Sequence, residues 1–322
     1  SWYEFLTGHA YFKSHTTGDV YDEIAFADIL LRIDFTVADG RDFDHAYRIY
    51  DENGFNNIDP DTYYTVMNNI ELTSERKPIS IFNGGLQGNS ENITIIYNND
   101  NLIANNFAVT LNGTIRNITF TGNVTGYGFV VDTVSESGLI ENVTVDVNEL
   151  YPSTLSTQAD TGVGGIAGTN NGTIRDSSVL GLNITASGNA SYVGGIAGIN
   201  AGTIYGSSVE FYNLNSIDET GTKANAFSGG FVGGIAGQIV PSMTSATPSI
   251  ENSYVYNYTN QTSLSGISGV GAIIGYISTG SDVRIYKSFA VVYAPSGNMQ
   301  AIYDSQGTVN SQSDYYIATK SN

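Results

Sequence analysis

The chain has 322 residues, among them 37 glycines, 22 tyrosines, 6 prolines and no cysteine, and its formal net charge is −19. That charge works against nucleic acid and anionic membranes as partners, the missing cysteine excludes disulfides and thiolate metal sites, and no run of about 18 apolar residues offers a membrane span. Gly, Asn, Ser and Thr separate short Val-, Ile- and Tyr-rich runs, a composition for many short strands rather than long helices.

Residues 1–40 read as a strand or connector segment. Trp2, Tyr3, Phe5, Leu6, Tyr11 and Phe12 make the opening unusually apolar, and Ile29, Leu31, Ile33, Phe35 and Val37 alternate like a half-buried strand. Ser1 without a preceding methionine is the expectation for a processed end. Termini fray unless packed, so the segment either folds back on its own chain or adds strands to a neighbouring copy.

Residues 41–61 read as a short helical cap. Asp42 is a candidate N-cap, with Phe43, Tyr47 and Tyr50 at helical spacing behind it. Acid concentrates toward this end: residues 1–61 carry 13 acidic and 4 basic side chains, the remainder 18 and 8. Asp39, Asp42, Asp44, Asp51, Asp59 and Asp61 form a candidate calcium site, because a hard cation takes about six to eight oxygens. The spacing is not that of an EF-hand, and a solvated acidic loop is the other reading.

Residues 62–322 carry the main signal, two interleaved repeats. The first reads Gly113-Thr-Ile-Arg-Asn-Ile-Thr-Phe120, Gly138-Leu-Ile-Glu-Asn-Val-Thr-Val145, Gly172-Thr-Ile-Arg-Asp-Ser-Ser-Val179 and Gly202-Thr-Ile-Tyr-Gly-Ser-Ser-Val209. Weaker copies begin at Ser249, Arg284 and Gly307. The second reads Val163-Gly-Gly-Ile-Ala-Gly168, Val193-Gly-Gly-Ile-Ala-Gly198, Val232-Gly-Gly-Ile-Ala-Gly237 and Val270-Gly-Ala-Ile-Ile-Gly275. No single copy can bury its own apolar residues, but stacked copies align Ile on Ile and pair each backbone with the turns above and below. The glycines are expected to supply positive φ, sharp bends and close backbone approach. The fold class is therefore all-β, a right-handed parallel β-helix of about seven coils spaced by ~4.8 Å.

These two units resemble those of bacterial and archaeal surface proteins with GLUG-type repeats, including filamentous-haemagglutinin-like adhesins. The entry run Tyr63–Leu72, the turn Ile81–Asn89 and the closing Asp314-Tyr-Tyr-Ile317 are similar to that family too. The resemblance implies a parallel β-helix on an extracellular cell surface, and it implies no catalytic set.

Catalytic signals are sparse. The three histidines, His9, His15 and His45, all precede the repeats, and the acids within them (Glu141, Asp146, Asp176, Glu210, Glu251, Asp282) do not cluster by repeat position. A β-helix polysaccharide lyase or hydrolase needs such clustering. Ten Asn-x-Ser/Thr sequons are candidate glycosylation sites: Asn92, Asn112, Asn123, Asn171, Asn183, Asn189, Asn257 and Asn260, with Asn117 and Asn142 inside the repeat motif itself. Three functional classes stand at this point. The leading one is an extracellular, non-enzymatic structural protein without a required cofactor, assembling head to tail with copies of itself. The others are a monomeric adhesin binding glycan or protein, and a polysaccharide-degrading enzyme.

Overall fold

A computed structural model describes residues 38–90, 93–98, 104–152, 161–186, 191–211, 213–214, 223–224, 226–244, 246–259, 261–294 and 299–320. The chain divides into two units, 1–39 and 40–322. The second is a parallel β-solenoid.

Successive motif copies lie in register. Leu86, Ile115, Ile140, Ile174, Ile204, Ile250 and Ile285 form one column of parallel pairs, all fully buried. Phe120, Val145, Val179, Val209, Val255 and Ala290 form a second. Val163, Val193, Val232 and Val270 form a third. A separate eight-stranded parallel sheet runs from Ile79–Phe82 to Ile302–Ser305 with one strand per coil, so there are eight such rungs where the motif copies suggested about seven.

From Ile115 onward the next column lies five positions after the anchoring Ile, and Ala167 lies four positions after Val163, as do their equivalents. The first interval contains a bend at one left-handed residue: Asn117 (φ 57°), Asn142 (51°), Asp176 (50°), Gly206 (59°), Asn252 (49°) and Lys287 (47°). Gly, Asn and Asp tolerate this conformation best; Lys287 is the exception.

Behind each bend an inward position starts as Ile118 and Val143, then becomes buried Ser177, Ser207, Ser253 and Ser288. These serines form a ladder. Each hydroxyl donates to the carbonyl two residues back in its own coil, as Ser207 does to Tyr205 at 3.0 Å. Each also accepts a backbone N–H from the preceding coil, as Ser207 does from Ser177 at 3.3 Å. The buried hydroxyl is thus bonded twice, and the backbone amide that the bend removes from the strand ladder gains its one acceptor.

The glycines of Val-Gly-Gly-Ile-Ala-Gly do not have positive φ, which corrects the expectation. They allow backbones to meet. A Cβ on Gly198 would lie 2.1 Å from the backbone nitrogen of Val163. The Ile of this motif (Ile166, Ile196, Ile235) points into the core and is fully buried.

The entry to the solenoid also departs from expectation. No helix forms over 42–50. The Asp42 carboxylate instead accepts the His45 backbone N–H at 2.9 Å and closes a turn, and Tyr47–Ile49 is a strand paired in parallel with Tyr64, Thr65 and Val66. The helix is Glu52–Asn56, capped by Asp51, whose side chain accepts from the Gly54 amide. Sheet pairing satisfies the backbone of 47–49 and buries Ile49, and this outweighs helical spacing, a weak preference on its own. Phe55 of the helix is fully buried, with its ring 5.8 Å from that of Phe107.

Candidate functional site

The candidate calcium ligands do not converge. Asp51 caps the helix and Asp42 holds the turn at His45. Asp59 accepts from the Asp61 amide and the Thr62 hydroxyl, and Asp61 accepts from the Asn83 side chain. Asp39 and Asp44 are exposed. Among the described residues no three acidic or histidine side chains form a metal-holding group. Asp42, Asp51 and Asp59 serve turns and caps, roles whose short-range spacing imitates a ligand loop.

Three of the acids within the repeats are also engaged. Glu141 pairs with Arg175 at 2.5 Å, Glu251 lies 3.8 Å from Arg284, and Glu210 accepts the Tyr254 hydroxyl at 2.7 Å. Burial, and then Glu210, push the Tyr254 phenol above its ordinary pKa.

Several aromatic side chains stack on a neighbour in the adjacent coil. Tyr254 and Phe289 are neighbours on adjacent coils, with rings 5.1 Å apart and 6° from parallel. Tyr192 and Phe231 repeat this at 5.7 Å and 12°. Rings stacked along the coil direction turn their faces to each other, so packing, not sugar stacking, accounts for these pairs.

The ladders stop at the last described rung, made of Ile302–Ser305, Thr308–Val309 and Asp314–Lys320. Each strand pairs with the coil before it, and among the described residues none pairs on its other edge. Inward Ile302, Val309 and Ile317 are only half-buried, whereas their partners Ile274, Val283 and Ala290 are fully buried. Tyr316, next in register after Phe289, is 67% exposed, and Tyr303 and Tyr315 are exposed as well. Lys320 donates to the Asn257 carbonyl and lies 5.2 Å from the centre of the Tyr256 ring, holding the strand's end down. The sequence marked 314–317 as a closing strand and Gly307-Thr-Val309 as the last motif copy, with a short polar tail that caps this end poorly.

Trp2, Tyr3, Phe5, Leu6, Tyr11 and Phe12 lie outside the described residues, as do the sequons Asn92, Asn189 and Asn260. Asn257 is corrected as a glycosylation candidate. It is 1% exposed, its amide donates to Gln261 and Ser263, and its carbonyl accepts from Thr259, so a glycan there is incompatible with the fold. Asn123 is exposed, and Asn112, Asn171 and Asn183 are half-buried. Asn117 and Asn142 stack at the bend, Asn142 donating to Asn117 at 3.0 Å.

No protein-family model matches this chain, and no curated protein does. Among solved structures it is similar to a putative immunoglobulin A1 protease from Bacteroides ovatus. The TM-score is 0.53 over 83% of this chain and 84% of that one, at 17% identity. A likeness at that identity shows the parallel β-solenoid fold alone.

Proposed function

We propose that this chain is an extracellular, non-enzymatic structural protein of adhesin type, which assembles head to tail through its terminal rung. The observation that carries the reading is the last rung, whose inward Ile302, Val309 and Ile317 are only half-buried and whose outer edge is unpaired among the described residues. An open edge pairs with any strand that arrives, and half-exposed apolar residues favour one that covers them. The occupant in this reading is the apolar, alternating segment 1–40 of a second copy. Such a contact does not close on itself, so it builds fibres.

Electron microscopy and sedimentation of the 322-residue protein test it. The full chain should form fibres, and deletion of residues 1–20 should leave monomers. Ile317→Lys should also prevent fibres while leaving the far-ultraviolet spectrum unchanged. Fibres that persist in both variants sink the reading.

A further inference from the structure

The loop between Leu72 and Ile79 holds a cation without a counter-charge. Glu52 fixes the start of this loop by accepting from the backbone and hydroxyl of both Thr73 and Ser74 at 2.7 to 3.1 Å. The Asn105 side chain fixes its middle by donating to the Arg76 carbonyl at 2.8 Å. Between these anchors the Arg76 guanidinium lies beside two buried rings, 5.2 Å from the centre of Phe55 and 5.7 Å from that of Phe107. Its Nη1 makes one long hydrogen bond, 3.3 Å to the Asn106 carbonyl, and its Nε is buried with no partner.

Among the described residues no carboxylate pairs with Arg76. Beside it opens a cavity of about 280 Å³, walled by Phe55, Asn56, Ile58, Lys77 and Ile79, with Glu75 as its one acid, which is exposed. Ring faces stabilise a guanidinium in part, and the half-buried Arg76 gains further from a partner of opposite charge. Nε is closed to solvent, so the donors left for a ligand are those of Nη2, and Arg76 itself lines the cavity. In a chain of net charge −19, adjacent Arg76 and Lys77 are a local reversal of sign.

We propose that this cavity binds a small oxyanion, a carboxylate or a phosphate-type group, on Nη2 of Arg76, with Lys77 adding charge at the mouth. Binding to the folded state alone raises the melting temperature in a saturable way. Melts of the full chain in sodium acetate, phosphate and sulfate, each against sodium chloride at matched ionic strength, test it. At least one oxyanion should raise Tm with a saturating dependence. Arg76→Gln should move the midpoint to roughly tenfold or more higher anion concentration, the loss of a charge-assisted pair. Lys77→Gln alters only an exposed side chain, so it keeps the test open if Arg76→Gln does not fold, and it should shift the midpoint the same way by less. Acetate acting alone assigns a carboxylate; phosphate or sulfate acting assigns a tetrahedral anion. A rise equal in all four salts, the same midpoint in the folded variants as in the wild type, or no rise in any oxyanion overturns the site.

Discussion

The coils before and after residue 160 solve one packing problem in two ways. In the early coils Phe55, Phe82, Phe107, Phe120 and Phe129 fill the interior, with Phe82 and Phe107 meeting edge to face at 5.0 Å. Along the same columns the side chains then shrink. Phe82 leads through Leu111 and Val134 to Asn170 and Asn200, and Phe120 leads to Val145 and Val179. The later coils keep the buried rings of Phe211 and Phe227, and the first column returns to Ile239 and Ile277, but they add buried polar ladders of serine and asparagine, such as Asn170 donating to Asn200 at 2.8 Å. The two halves show that coil-on-coil register survives a change from bulky apolar to small polar inward side chains, provided each buried polar group finds a partner.

The largest blow to the early half should come from Phe107→Ala, which empties a fully buried site touched by Phe55, Phe82 and Arg76. A loss of about 3–5 kcal/mol in urea unfolding is expected. Its counterpart in the later half is Gly198→Ala, where the added methyl meets backbone rather than a yielding side chain. A cost of about 3 kcal/mol is expected, and a loss under ~1 kcal/mol would show that the later coils relax as a liquid core would. Ser207→Ala breaks one rung of the hydroxyl ladder and strands the Ser177 amide. Unfolding should detect about 1–3 kcal/mol, and the equivalent Val143→Ser in the early coils tests whether a hydroxyl fits there.

Smaller effects sharpen the same contrast. Lys287 is the one bend residue outside Gly, Asn and Asp, so Lys287→Gly should gain about 1 kcal/mol, less whatever its 5.2 Å contact with Tyr286 contributes. The smallest concerns pH. Burial opposes the charge on Glu52, but hydrogen bonds from Ser74 and Thr73 outweigh it and hold the carboxyl below its ordinary value of 4.5. A depressed folded pKa stabilises the fold above pH 4.5 and loses that contribution as pH falls through the lower folded value. The pH dependence of Tm below pH 4.5 should flatten in Glu52→Gln, and an unchanged slope would remove Glu52 as the anchor of the 73–78 loop.

Periodic features were legible in sequence, and non-periodic ones were not. Ile174 on Ile204 and Val163 on Val193 follow because each copy's best partner is another copy of itself. Length varies only at the joins, such as the 14 residues from Ala236 to Ile250 against 7 from Ala197 to Ile204, and the fixed intervals absorb none of it. The candidate sites fared differently. The aspartates of 39–61 looked like ligands because turn and cap chemistry uses the same residue types. Asn257 looked like a glycan acceptor because a sequon carries no information about burial.

The sequence by itself determined the parallel solenoid, its columns and its approximate coil number, because short-range spacing dictates stacking when the neighbour is a repeat of the same pattern. Only the tertiary structure decided the rest. It moved the helix to 52–56, since the strand at 47–49 depends on a partner 17 residues later. It left Arg76 against Phe55 and Phe107, 21 and 31 residues away, without a matching acid. It also left Ile302, Val309 and Ile317 half open, because burial of a coil is a property of what lies above it.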